Sequence, residues 1–414
     1  IHGKSKNCLW FGRLSSDTGR RESDFKILKA GEKNNTKFYY LHDEGGFFYD
    51  SVYEDTVKRL YPYNQELKRN ISRLLMWGER QKISLLNASN LKESDLIVTG
   101  MPRFDLYKID YNWLDSESIK ALRYKFDEFT LITTKFGFAN GTGHQWEDRF
   151  EKGIRESQKK NPSAALDDYI EIWSGQMHNF VEMTKMIITL AREHPDHNFV
   201  VRPHPSENKF FYEKTFAYEK NIYVIREGSV RKWIKASECV IHSSCTTGVE
   251  ALLAGKSTIN IKPNMPVNKD FDIVLARNAG ISANNEAELL SIFQRMQTDN
   301  VLKSDGLKCQ TEDYNILYNF NVNSFELILK LIQENTQSER SFASLPGYFE
   351  NKYSRFKLDK VFKKKAIAGK ESNRHSRLAP ILRDDVLKVI NGFNKHHSSN
   401  VKLEHHSPNY IVLS

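Results

Sequence analysis

Cys239-Val240-Ile241-His242-Ser243-Ser244-Cys245-Thr246-Thr247-Gly248-Val249-Glu250-Ala251-Leu252-Leu253 reads as a short buried strand, a hydroxyl-rich turn and an apolar helix. A strand that enters a helix through small residues is the repeating unit of a parallel, doubly wound sheet. The alternation recurs on both sides. Strands are expected at 198–202, 222–225 and 257–261, with helices over 164–193, 230–236, 249–254 and 286–296. Upstream, strands are expected at 37–41, 96–98 and 129–133, with a helix over 116–126. Residues 53–89 are helical in period, with Leu60, Leu67, Ile71, Leu74 and Leu75 at mixed three- and four-residue spacings. Residues 1–36 show no clear element, so the first strand of the N-terminal domain is expected to be missing.

The fold class is therefore α/β. Two linkers, near 125 and near 335, divide the chain into an N-terminal domain (1–125), a second Rossmann-like domain (126–335) and a basic extension (336–414). Within the extension, Lys352 to Arg383 interleaves Lys and Arg with Tyr353, Phe356 and Phe362. The first residue is Ile1, so a start lost upstream is expected.

The chain has 414 residues, 39% of them hydrophobic and 27% charged, a balance that supports packed cores. Its net charge of +9 suits phosphate ligands, nucleic acid or an anionic membrane face without choosing among them. No apolar run approaches the ~20 residues needed to span a bilayer. Cys8, Cys239, Cys245 and Cys309 have no CxxC spacing, so reduced thiols in a cytoplasmic protein are expected. No HExxH, Walker A or GxGxxG pattern occurs.

Three polar clusters end apolar strands, where ligands bind in open α/β sheets. In His242, Ser243, Ser244, Thr246 and Thr247, hydroxyls open a helix whose free N–H groups favour a phosphate; a plain N-cap explains them equally well. In Arg202-Pro203-His204-Pro205-Ser206-Glu207, two prolines aim an imidazole beside a fixed cation. In Asp43-Glu44-Gly45-Gly46, one carboxylate could take a proton from a hydroxyl, unless the turn is simply solvated. Arg103, Lys135 and Asn140 follow other strands and could line the same cleft. Trp77 is read as core packing.

These segments resemble the bacterial surface carbohydrate biosynthesis proteins and, more broadly, the two-domain GT-B sialyltransferases that use CMP-activated sugars. The matching stretches are Leu41–Gly45, Trp77-Gly78-Glu79, Thr99–Asp105, Val201–Glu207, Glu227-Gly228-Ser229 with Trp233, and Ile241–Ala251. The chain departs from the family in reading Asp-Glu-Gly-Gly and in having Met101 where the family tends to have Asn.

The resemblance implies two Rossmann-like domains facing across a cleft. It implies transfer of a nonulosonic acid, of Kdo, sialic, pseudaminic or legionaminic type, from a CMP-linked donor to a glycan or glycolipid acceptor. Asp43 would be the base; in a two-step course Asp43 or Glu44 would be the nucleophile. His204 would serve the leaving phosphate. Arg202, Pro205, Glu207, His242, Ser243, Ser244, Thr246 and Thr247 would hold the nucleotide, and Gly45, Arg103, Lys135 and Asn140 would line the substrate cleft. No cofactor or metal is expected, since cationic and hydroxyl groups would stabilise the phosphate.

Two other classes compete. One is a CDP-alcohol polyol-phosphate transferase. The other is a non-catalytic component of a surface-glycan assembly complex, or a nucleic-acid binder, although no RNA-binding motif is visible and no nucleic-acid partner is expected. The basic extension is expected to touch the anionic inner membrane peripherally.

Overall fold

The computed structural model describes residues 9–12, 37–42, 53–60, 73–88, 91–137, 139–141, 165–263, 273–299, 319–336, 383–397, 403–407 and 410–413. Ile1–Thr336 is one compact unit and Gln337–Ser414 a second.

The first unit holds two parallel sheets. One has the order β1 (Leu9–Gly12), β2 (Lys37–Leu41), β3 (Arg73–Met76), β4 (Leu96–Val98). The other contains β5 (Phe129–Thr133), β6 (Asn198–Arg202), β7 (Ile222–Val224), β8 (Cys239–His242), β9 (Ser257–Ile261) and β10 (Ile281–Ala283), in the spatial order β10-β9-β8-β5-β6-β7. This is the doubly wound Rossmann order, and its direction reverses between β5 and β8. The α/β class and its parallel sheets are as expected.

Two expectations for the N-terminal sheet are corrected. Leu9–Gly12 supplies a first strand, paired in register with β2. The supposed helical stretch 53–89 is broken by β3 between the helices Tyr53–Leu60 and Glu79–Ala88. Leu74 and Leu75, assigned to a helix by their spacing, are buried strand residues. The expected strand at 222–225 is one residue shorter, and the helix expected at 249–254 starts earlier, at Thr246.

The second sheet is buried on both faces, so its strands read as apolar runs. Alternate residues divide between two cores. Leu131, Val200 and Val240 face Trp233, Ile234 and Val249. Ile132, Val201, Ile241 and Ile259 face Met183, Ile187 and Leu190 of the long helix Ala165–Glu193, with Leu289 and Phe293 of Glu286–Thr298. Each such side chain contributes roughly 1.5–3 kcal/mol of burial.

The first of these cores also takes in Tyr39, Leu41, Leu75 and Trp77 of the other sheet, so apolar packing joins the two. Trp77 is 1% exposed and donates its indole N–H to the His42 carbonyl at 2.7 Å, in keeping with its reading as core. The helix Ser324–Thr336 returns to the first sheet's end: Phe325 N–H donates to Asp105 Oδ2 at 2.8 Å, and Lys108 Nζ to the Val322 carbonyl at 2.6 Å.

In the second unit, the described residues form the helix Arg383–His397 and the antiparallel pair β11 (Leu403–Ser407) and β12 (Tyr410–Leu413). Residues 352–382, most of the basic stretch, lie outside the described residues. Among the described residues no helix is long and apolar enough to cross a membrane. The buried Cys245 is a free thiol.

Candidate functional site at the carboxyl edge of the second sheet

The turn after β8 is held from below. His242 is fully buried, and its Nδ1 accepts the Cys245 N–H at 3.3 Å, which leaves the proton on Nε2 to donate to the Ala279 carbonyl at 3.1 Å. Burial pushes its protonation down to about 3, so the ring is a neutral brace. The expectation that His242 binds phosphate is corrected: both nitrogens are engaged with main chain.

The ring lies against the next helix. A Cβ built on Gly248 would stand 2.3 Å from the imidazole. Alanine in a helix ordinarily gains ~1 kcal/mol over glycine. Here overpacking against a pinned ring, costing ~1–3 kcal/mol or more, opposes that gain. Gly248→Ala is therefore expected to lower the thermal midpoint; a raised midpoint would show that the ring yields easily.

Ser244 sits at φ +44°, a left-handed conformation that costs a non-glycine residue of order 1–3 kcal/mol. Its N–H donates to Asn260 Oδ1 at 2.7 Å, and Asn260 Nδ2 donates to the Arg277 carbonyl at 2.6 Å. Asn260 is fully buried on β9 and holds the strained turn, a role absent from the sequence reading. The signal was there: a lone amide in Ser257-Thr258-Ile259-Asn260-Ile261. Thr246 and Thr247 form the first turn of the helix Thr246–Leu253 and are half-buried, whereas Ser243 is buried.

The loop after β5 crosses to this turn. Thr133 and Thr247 share a 2.6 Å hydroxyl bond, and half-buried Lys135 donates from Nζ to the Ser244 carbonyl at 2.7 Å. Asn140, expected in the cleft, is buried and binds the Asn208 carbonyl at 3.1 Å, so it braces the loop instead.

The turn after β6 divides its residues by role. Arg202 is buried and donates to the carbonyls of Glu227 and Gly228, fixing the exit of β7. Burial lowers its pKa to about 10. Its expected place on the phosphate is corrected. Glu207, also expected on the nucleotide, is 0% exposed and accepts the Thr134 hydroxyl at 2.5 Å and the Phe136 N–H. Pro205 and His204 are exposed. His204 Nδ1 accepts the Ser206 N–H at 3.2 Å and lies 2.7 Å from Ser206 Oγ, which places the neutral ring's proton on Nε2. Ser206, missed in the sequence reading, is thus the residue that sets the tautomer.

Arg103, from the end of the first sheet, stands 4.0 Å from Glu250 of the helix Thr246–Leu253. Glu250 is buried, and burial raises its pKa. It too was missed, though an acid in Val249-Glu250-Ala251-Leu252-Leu253 is conspicuous. Asp43, Glu44 and Gly45 lie outside the described residues.

Lys135, His204 and the Ser243–Thr247 turn therefore meet at one edge, on the adjacent strands β8, β5 and β6. Three neighbouring strands span ~10 Å, about the length of a nucleoside phosphate. The arrangement offers an imidazole N–H, an ammonium, hydroxyls and a helix N-terminus to an anion. Among the described residues no group of three or more His, Cys, Asp and Glu could hold a metal ion. A separate concavity at the sheet's amino edge, lined by Glu128, Thr130, His197, Glu238 and Cys239, lies at the opposite end of these strands.

No family model matches the chain, and no curated protein matches it in sequence. Solved structures similar to it include UDP-GlcNAc 2-epimerase from Neisseria meningitidis bound to UDP-GlcNAc, at 15% identity over 79% of this chain and 76% of that one, with a TM-score of 0.44. The UDP-GlcNAc 2-epimerase of Methanocaldococcus jannaschii matches at 14% identity, 79% and 76% coverage and a TM-score of 0.46. Anabaena HepE in complex with UDP and glucose matches at 10% identity, 78% coverage of each chain and a TM-score of 0.37.

Proposed function

We propose that this chain is a sugar-nucleotide-dependent enzyme of bacterial surface carbohydrate synthesis, with the nucleotide phosphate seated where the strand order reverses. The observation that supports this reading is the convergence of Lys135, His204 and the strained Ser243–Thr247 turn at the β8–β5–β6 edge. Ligands of open α/β sheets sit at such a switch point. His204 Nε2–H donates to a phosphate oxygen. The helix opening at Thr246 adds N–H groups and a favourable dipole.

The finer reading is glycosyl transfer from a CMP-activated nonulosonic acid, supported by the order of the Asp-Glu-Gly, His-Pro and Ser-Ser motifs. In it, Asp43 takes the proton of the acceptor hydroxyl, and the departing CMP phosphate is met by His204 and Lys135.

Calorimetry of the full chain with CMP, UDP, UDP-N-acetylglucosamine, CMP-N-acetylneuraminate and CDP-glycerol tests both levels. A pyrimidine nucleotide is expected to bind, and His204→Ala is expected to weaken it about tenfold, the worth of one charge-assisted hydrogen bond. Exclusive binding of CDP-glycerol would favour polyol-phosphate transfer. Salt-dependent RNA binding without nucleotide binding would overturn the reading.

A further inference from the structure

The two ends of the anion site, the Lys135 loop and the His204 turn, are tied together by one carboxyl. Glu207 Oε2 accepts the Thr134 hydroxyl and Oε1 the Phe136 N–H, so both oxygens serve the loop after β5. The same residue's N–H donates to the His204 carbonyl at 2.9 Å, and its carbonyl accepts Arg226 NH1 at 2.9 Å. It also bridges to Gly141. The donors to the carboxyl, the Thr134 and Tyr212 hydroxyls and the main-chain N–H groups of Phe136 and His204, are all neutral. The titratable groups around it are Tyr212 from the following helix, His204 on its own turn, Arg226 beyond β7 and Lys135 in the loop. Arg226 donates to the Glu207 main-chain carbonyl and Lys135 to the Ser244 carbonyl.

We infer that Glu207 is a proton-linked positioning residue: its carboxyl fixes the loop after β5 against the turn after β6, and it takes up a proton when an anion is seated above that turn. A buried carboxylate held by neutral donors is poorly stabilised when ionised, in line with burial raising its pKa to about 7. An anion bound at His204, three residues away across a hydrogen-bonded turn, adds like charge and favours the protonated form. Linkage makes the effect reciprocal, so the protonated protein binds the anion more tightly.

The bonds survive the change. Thr134 offers a hydroxyl, which can accept as well as donate, so the acid O–H turns onto Thr134 Oγ1 while the other oxygen keeps the Phe136 N–H.

The inference rests on the sugar-nucleotide reading only for its choice of probe. Calorimetry of the full chain with UDP-N-acetylglucosamine, CMP-N-acetylneuraminate and sulfate, whose acidic groups do not titrate near neutrality, is run in buffers of differing ionisation enthalpy. The wild type is expected to take up a fraction of a proton per anion, with affinity falling about tenfold as pH rises through 7. Glu207→Gln should show neither effect and should keep the tight affinity at high pH. Thr134→Val removes a partner that holds the ionised carboxylate more strongly than the neutral acid, so the midpoint should move to higher pH. This variant decides if Glu207→Gln does not fold.

Binding by the wild type without proton uptake overturns the inference. So does equal uptake in Glu207→Gln, which would put the proton on His204, or an unmoved midpoint in Thr134→Val. Sulfate binding with proton uptake but no sugar-nucleotide binding leaves the inference standing and removes the functional reading. Binding of none of the probes overturns both.

Discussion

Asp115→Ala is expected to lower the unfolding free energy by about 3–5 kcal/mol, the cost of leaving a buried charge unpaired. Asp115 precedes the helix Ser116–Phe126, and its side chain is nearly buried. Arg231 donates to it from Nε at 2.7 Å and from NH2 at 2.9 Å. Lys235 Nζ stands 3.5 Å away, itself buried, and also donates to the Tyr111 carbonyl at 3.3 Å. Burial already lowers the Lys235 pKa to about 8 with Asp115 present. Removing the carboxylate strands two cations in a space that only it neutralises among the described contacts. Asp115→Asn keeps shape and acceptor and should cost less. Urea unfolding with an unchanged m-value checks the size. A loss below about 1 kcal/mol would class the cluster with surface pairs.

This cluster reaches the site indirectly. Arg231 and Lys235 lie on the helix Val230–Ala236, which Ser229 caps directly after the Glu227–Gly228 turn. That turn is what Arg202 grips. The charges at Asp115 and Arg202 are thus scaffold, and they leave the Lys135 ammonium and the His204 imidazole N–H as the donors presented at the carboxyl edge.

The difference between scaffold and site is also the limit of what the sequence made legible. Strands β5, β6, β8 and β9 were readable because burial on both faces demands unbroken apolar runs. β3 was not: Leu67, Ile71, Leu74 and Leu75 mimic a helical stripe, and four residues are too few to show a period of two. β10, Ile281-Ser282-Ala283, is a three-residue edge strand with little apolar content. At the site, position was readable and role was not. His204 and His242 both end a strand and stand among small or rigid residues. Only the fold shows that one is exposed and the other sealed under Gly248. Glu207 and Asn140 likewise read as groups facing the ligand, because nothing local announces that Thr134, Phe136 and Asn208 will come to meet them.

Glu207 also predicts a pH dependence of stability that needs no ligand. Its folded pKa, about 7, lies above the ordinary 4.5. Between those values the native protein keeps a proton that the unfolded chain has released. Raising the pH through this window therefore favours unfolding, and the loss is complete above about 7. A shift of this size corresponds to roughly 3 kcal/mol.

Glu93, Glu182, Glu227 and Glu288 have lowered pKa values, so the stability they contribute is lost only as pH falls below the ordinary carboxylate range, outside the window. His194, His197 and His242, whose protonation burial disfavours, act in the opposite direction within it, and Glu250, whose pKa burial raises, acts in the same one. They are present in both proteins, so the difference between wild type and Glu207→Gln isolates the carboxyl. Urea unfolding from pH 5 to 8 should show the variant gaining about 2–3 kcal/mol on the wild type across that range. A flat difference curve would mean that native Glu207 is ionised throughout. The carboxyl would then meet an arriving anion as a fixed negative charge, and Lys135 and His204 would have to outweigh it at every pH.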